Sequence, residues 1–259
     1  MDGELATRDK WAKAGDMQPD AIIQRAHDAH VTRLLCVGCT VEDSQLAVAL
    51  VQKHEDCWAS IGVHPHEAQR YLEDSESHSI FRQLAAKPKV VAIGECGLDY
   101  FYTHSPKVAQ IAVLRMQFEL AIERNLPMVF HVRDAFDDFW SIFESYYTKE
   151  RPIRGVIHSF TDTQANLKRA TMHGLYIGVN GIATFAKDPD QQAMYAAIPL
   201  KHLLLETDAP FLTPTPYRGT ICEPYHVGVT ATFLSQQRSE SVETLAQATT
   251  RNARILFGV

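Results

Sequence analysis

No run of apolar side chains in the 259 residues approaches the roughly 18–20 needed to cross a bilayer, so a helical membrane span is excluded. The opening stretch, MDGELATRDKWAKAGDM, is polar and holds no apolar segment of a secretory leader. Positive charge is short as well: 25 Lys and Arg stand against 31 Asp and Glu, a formal charge of −6. That excludes broad electrostatic coating of duplex DNA or of an anionic membrane. It leaves open a small basic groove, or a nucleic acid met through metal ions. Cysteine is sparse. Five residues (Cys36, Cys39, Cys57, Cys96 and Cys222), odd in number and scattered, do not make a disulfide framework and fit a reducing, cytoplasmic setting. Also missing are a Gly/Pro/Ser-rich linker, a low-complexity tract and an internal repeat. A single domain over 1–259 is therefore expected, and 46% hydrophobic with 22% charged residues is an ordinary globular composition.

What is present is an alternation. Short Val/Ile/Leu-dense runs occur at TRLLCVG (32–38), CWASIGV (57–63), KVVAIGE (89–95), LPMVFHV (126–132), RGVIHSF (154–160), GLYIGVN (174–180) and KHLLLET (201–207). Each reads as a strand buried on both faces. Between them lie amphipathic helix candidates at 41–55, 107–125 and 161–174, the second ending in Asn125 before Pro127. Repeated strand–helix units predict an α/β fold with a parallel sheet and helices outside it. The length suits a (β/α)₈ TIM-like barrel, which needs about 250 residues and eight strands. The missing eighth would be the first, within residues 1–15, where MDGELAT is a poor strand. An open doubly wound sheet is the structural alternative. The Pro-rich stretch 209–226 reads as a long irregular loop of the kind that often carries function.

The chemistry sits after the strands. His64 follows WASIGV, Glu95 follows VVAIG, His131 follows PMVF with Arg133 two residues on, His158 follows GVI, and Asp208 follows LLLET. In parallel α/β folds the C-terminal strand ends are where ligands bind. Taken singly, each imidazole is an ordinary hydrogen-bonded residue. Together, three imidazoles and two carboxylates at equivalent ends form a metal-ligand inventory suited to Zn²⁺, Mn²⁺, Fe²⁺ or Mg²⁺. Cys36-x-x-Cys39 has no second ligand pair and reads as packing along a strand.

Five of these segments, CWASIGVHPHEA, VVAIGECGLDY, LPMVFHVRDA, GVIHSF and LLLETDAPFLTP, resemble in order and spacing the motifs of the TatD family of metal-dependent deoxyribonucleases, nearest the branch of the bacterial TatD protein. The resemblance runs from about residue 20 to the closing ATTRNARILFGV. It implies a distorted (β/α)₈ barrel of the metal-dependent hydrolase type. It further implies divalent-metal-dependent hydrolysis of DNA phosphodiesters, as a 3′–5′ exonuclease on single-stranded DNA with RNA as a second substrate, in DNA repair or degradation. The family's metal ligands fall on Glu95, His131, His158 and Asp208, and its GVHP histidine, near substrate phosphate, on His64. Two features depart from the pattern. Residues 1–19 carry no His-x-His pair, which many members use for a second metal, and Cys222 stands where an asparagine is frequent.

On this reading Glu95, His131 and His158 hold a divalent ion, Mg²⁺ foremost with Mn²⁺ or Zn²⁺ as alternatives. Asp208 binds it or takes the proton from attacking water, and Arg133 and His64 pair with phosphate. Tyr100, Phe101, Tyr102, Phe160 and Phe211 are placed to stack on bases. A monomer with no membrane partner is expected. Two rival readings share the residues: a barrel hydrolase of amides, lactones or small phosphoesters, and a nucleic-acid-binding relative without turnover.

Overall fold

The computed structural model describes residues 17–259, so the first strand sought within 1–15 lies outside the described residues. Among those described, seven strands follow one another in chain order in one sheet. They are β1 (Leu34–Val37), β2 (Cys57–Ile61), β3 (Val90–Asp99), β4 (Met128–Arg133), β5 (Gly155–Ile157), β6 (Tyr176–Val179) and β7 (Leu203–Leu205). Pairing from β1 through β6 is parallel. Each strand falls within a run read from the sequence except β4, which runs one residue further to Arg133, and β3, which continues four residues past the expected end at Glu95. No helix among the described residues is long and apolar enough to cross a membrane.

The chain divides into two compact units. One comprises Arg33–Phe160, Lys168–Ile177 and Ala253–Val259, and holds β1–β5 with the first half of β6. Its core is strongly aromatic. Phe118, Phe130, Phe139, Trp140 and Phe143 are almost fully buried. Their rings meet at 5.0–6.3 Å, as in Phe139–Trp140 and Phe118–Phe143. The helices start and stop on local signals. Thr40 caps Val41–Val51 by accepting the Asp43 N–H at 3.0 Å, and Asn125, at φ 51°, ends Lys107–Arg124. The other unit includes Gly178–Asn252, and so the end of β6 and all of β7, where the Glu206 N–H donates to the Val179 carbonyl at 3.1 Å. Its stretch 209–223 has neither helix nor strand, as the proline content predicts.

Two features of the first unit position the chemistry. Helix Lys107–Arg124 buries two glutamines against strand ends rather than presenting only apolar side chains. Gln117 accepts the Val63 N–H (2.8 Å) and donates to the Val63 carbonyl (3.1 Å). Gln110 does the same for Asp99, at 2.8 and 3.0 Å. The second feature is a bulge in β3. Ile93 pairs with Met128 and Cys96 with Phe130, so β3 spends one residue more than β4 over that interval. Beyond the bulge the ladder resumes to Asp99↔Arg133. Gly97, opposite His131, has φ +154°, and a Cβ there would lie 1.8 Å from the His131 carbonyl oxygen. A side chain at 97 would therefore force β3 and β4 apart.

Gly97→Ala should cost at least about 3 kcal/mol, because a backbone atom cannot yield and the φ is unfavourable. Gly174→Ala, also at positive φ (+78°) but with nothing within 4 Å, should cost only about 1–2 kcal/mol. Urea unfolding of both variants measures the gap, and equal losses would show that the strand contact is not the constraint.

Candidate metal centre

Glu95, Gly97 and Asp99 lie on one face of β3 by the period of two, and the His131 ring sits across the glycine between the two carboxylates. Its Nδ1 is 2.8 Å from Glu95 Oε1 and its Nε2 is 3.0 Å from Asp99 Oδ2. Two further imidazoles reach the same Glu95 oxygen: His64 Nε2 at 3.6 Å and His158 Nε2 at 3.9 Å. The backbone holds this arrangement from below. The Glu95 N–H donates to the Gly38 carbonyl (3.2 Å) and the His64 N–H to the Cys39 carbonyl (2.9 Å), consecutive acceptors in the loop after β1. Cys39 also brings its thiol to 3.9 Å from Glu95 Oε2, beside the cluster rather than in strand packing. Cys36 is the member of the pair that packs, against Cys57 of β2.

His64 is oriented by the turn that follows it. Its Nδ1 accepts the His66 N–H at 3.2 Å and caps the 3₁₀ turn Pro65–Glu67, with proline in the first position. A ring that accepts at Nδ1 carries its neutral-state proton on Nε2, facing Glu95 and His131. Burial, reinforced by the neighbouring imidazoles and only partly countered by Glu95, lowers the His64 pKa to about 3. It is thus a neutral donor. His131 is the opposite case. Burial disfavours its charge, but hydrogen bonds to Asp99 and Glu95 outweigh that and raise its pKa. Burial works against both carboxylates, yet both are held well below the ordinary range. For Glu95 the countering groups are His158 and His131; for Asp99 they are His131, the Tyr102 N–H and His66.

Donor atoms of His64, Glu95 and His131 lie within 4.8 Å of one another, a spacing that can hold a metal ion. His131 meets the further requirement that its other nitrogen be fixed by a carboxylate, here Asp99. One residue that sequence reasoning passed over therefore matters. Asp99, 1% exposed, binds both His131 and His66 (2.9 Å) through Oδ2. The legible signal was ECGLD, whose alternation places Asp99 on the face of Glu95 with glycine between them.

The remaining expected residues fall as follows. Arg133 ends β4 and lays its guanidinium over Phe101 (4.0 Å) and Tyr102 (4.9 Å). Tyr100 is tied down, donating to Asp138 Oδ2 at 2.7 Å. Phe160 is corrected outright: it is 2% exposed and packs on Phe136 at 5.9 Å, so it is core and not a stacking surface. Asp208 belongs to the other unit, half-buried after β7 at φ 68°, with its carbonyl accepting the Phe211 N–H at 2.8 Å. Burial first, then the charges of Asp208 and Glu223, pushes the Cys222 thiol up to about 12, so it stays protonated.

These shifts fix the pH dependence of chelator-treated protein. His131, raised above 6.5, contributes stability below that value and loses it as pH rises through its folded pKa. His64, lowered from 6.5 to about 3, binds fewer protons folded than unfolded in that window, so stability falls as pH drops through it. Glu95 and Asp99 add a loss as pH falls below their ordinary values of 4.5 and 3.8. Urea unfolding from pH 4 to 9 should peak near 6.5, with slopes of at most about 1.4 kcal/mol per pH unit per proton. Asp99→Asn should flatten the alkaline side and weaken metal affinity roughly 10–100-fold. An unchanged alkaline slope would separate Asp99 from His131.

The sequence pattern of the TatD related DNase family matches residues 9–258. The chain is 37% identical over 246 residues, 93% of each chain, to the 3′-5′ ssDNA/RNA exonuclease TatD of Enterobacter lignolyticus. It is 34% identical over 248 residues, 96% of each chain, to the uncharacterized metal-dependent hydrolase YabD of Bacillus subtilis. Among solved structures it is similar to YJJV, a TatD homolog from Escherichia coli K12, with a TM-score of 0.86 at 28% identity over 93% of this chain and 92% of that one. With its parallel α/β sheet and its carboxylate–imidazole cluster, the chain belongs to the TatD related DNase family.

Proposed function

We propose that this chain is a divalent-metal-dependent 3′–5′ exonuclease acting on single-stranded DNA ends, with RNA as a second substrate. The observation that carries the reading is the cluster of Glu95, His64 and His131 braced by Asp99, in a chain of this family. Mg²⁺ is the proposed ion, since it accepts few protein ligands and completes its shell with water and phosphate oxygens. Mn²⁺ and Zn²⁺ are the alternatives that an imidazole-rich set also suits. The proposed setting is a cytoplasmic monomer in DNA repair or degradation.

Glu95 and His131 would hold the ion, with His158, whose Nε2 lies 3.9 Å from the same Glu95 oxygen, completing this unit's share. The donor set fits: a depressed carboxylate and an imidazole whose far nitrogen is already bonded. When bound, the cation polarises a phosphoryl oxygen and makes water a better nucleophile at neutral pH. The chain's own residues do the rest. Asp99 keeps His131 in one tautomer, Nε2–H toward Asp99 and Nδ1 toward Glu95. His64, neutral, offers Nε2–H to a phosphate oxygen without adding charge. Arg133 supplies the fixed positive charge at the end of β4 for a neighbouring phosphate. Asp208 is assigned to accept the proton of the attacking water, on the strength of its place after β7 and the ETDAP motif.

The test compares linear single-stranded, circular single-stranded and blunt duplex DNA of one sequence, end-labelled where ends exist, with Mg²⁺ and with EDTA. Linear single strands should shorten from the 3′ end, circles should persist, duplex should be slower, and EDTA should abolish turnover. Glu95→Ala and His131→Ala should each lose more than the roughly 10–100-fold typical of a residue that merely orients a ligand. Circles cut as fast as linear strands, or full activity in EDTA, would overturn the reading.

Arg133→Ala should reduce the slope of log affinity against log salt by about 0.7, the value for one phosphate of a single strand. An unchanged slope in a binding titration would remove Arg133 from the phosphate.

A further inference from the structure

Beside the cluster, two adjacent aromatic residues stand in solvent: Phe101 is 54% exposed and Tyr102 42%. The same unit buries Phe118, Phe130, Phe139 and Phe143 almost completely, so leaving these two outside is a departure from its own packing. Their position is fixed all the same. Asp99 Oδ1 accepts the backbone N–H of Phe101 at 3.0 Å and of Tyr102 at 2.9 Å, closing a turn on the carboxylate whose other oxygen holds His131. One carboxylate thus sets the rings relative to the cluster. The rings meet edge to face at 4.8 Å, and Tyr102 lies nearly parallel to His104 at 5.7 Å. Above them Arg133 holds its guanidinium 4.0 Å from the Phe101 centroid and 4.9 Å from that of Tyr102.

Exposed rings beside a fixed cation are what a single-stranded nucleic acid needs: a face for the base and a charge for the backbone. We propose that Phe101 and Tyr102 form the base-stacking subsite for a nucleotide flanking the phosphodiester held at the cluster, with Arg133 taking that nucleotide's phosphate. The proposal rests on the exonuclease reading and adds to it the part of the chain that selects single strands. A base within a duplex has both faces covered by its neighbours and must unstack before it can use the shelf. Because every base has a π-face, the shelf does not discriminate among bases. It is equally indifferent to deoxyribose and ribose, since nothing in a ring face reads the 2′ position.

The probe is a phosphorothioate-linked oligothymidylate that resists cleavage, carrying 2-aminopurine at successive positions from the 3′ end. Wild-type protein with Mg²⁺ should quench the fluorophore most strongly at one position near that end. Phe101→Ala/Tyr102→Ala should abolish that quenching and weaken binding about 5- to 150-fold. Phe101→Tyr/Tyr102→Phe, which keeps both faces, should retain both signals. Leu46→Ala, on a still more exposed apolar residue of the helix Val41–Val51, should change nothing. With an abasic site at the quenched position, wild type and the double alanine variant should bind alike. Equal affinity of those two proteins for the base-containing strand, while wild type still digests linear DNA, would overturn the subsite alone. Failure of wild type to bind or digest any strand would overturn the exonuclease reading and the subsite with it.

Discussion

A single buried carboxylate, that of Asp99, organises this site. Removing a carboxylate from water is costly, and here four hydrogen bonds offset the cost, two from imidazoles and two from backbone amides. Gln110 adds a clamp on the Asp99 backbone itself. The tautomer of His131, the orientation of His66 and the placement of the Phe101–Tyr102 turn all follow from where those two oxygens lie. None of the three could shift without breaking a charge-assisted bond.

The electrical balance around it is equally specific. Glu95 and Asp99 keep their negative charges, His131 alone of the three neighbouring imidazoles His64, His66 and His131 has a raised pKa, and burial lowers the other two. Together these five groups carry a single negative charge when His131 is protonated and two when it is not. Such a pocket attracts a cation more strongly as pH rises, because the proton between Glu95 and His131 is then given up and the net negative charge grows. The positive charge of Arg133 sits outside this balance, over the aromatic rings, where it is free to meet an anion.

Much of this was legible in the residues. The seven apolar runs are the seven strands, because strands buried on both faces leave little room for polar side chains. His64, Glu95, His131 and His158 were marked by their position after those runs, and they meet. Asp99 was not marked, since GECG reads as the end of a strand when the glycines are taken for a turn. In the fold they are the means by which β3 bulges and then continues against β4. Phe160 shows the complementary limit. Its place beside His158 is a fact of sequence, but the side to which its ring turns is set by Phe136, a contact that local pattern does not encode.

The helix Lys107–Arg124 serves the site as a ruler. Gln110 and Gln117 are seven positions apart, about two turns and roughly 10 Å of axial rise, and each is bonded to the chain where a strand gives way to a loop. One grips Val63, just before His64; the other grips Asp99. The spacing between the imidazole of one loop and the carboxylate of the next is thereby referred to a rigid rod. Any inserted or deleted residue between 110 and 117 would swing one glutamine through about 100° and release its strand end. Over this interval the length of the chain, more than the identity of most of its residues, is under constraint.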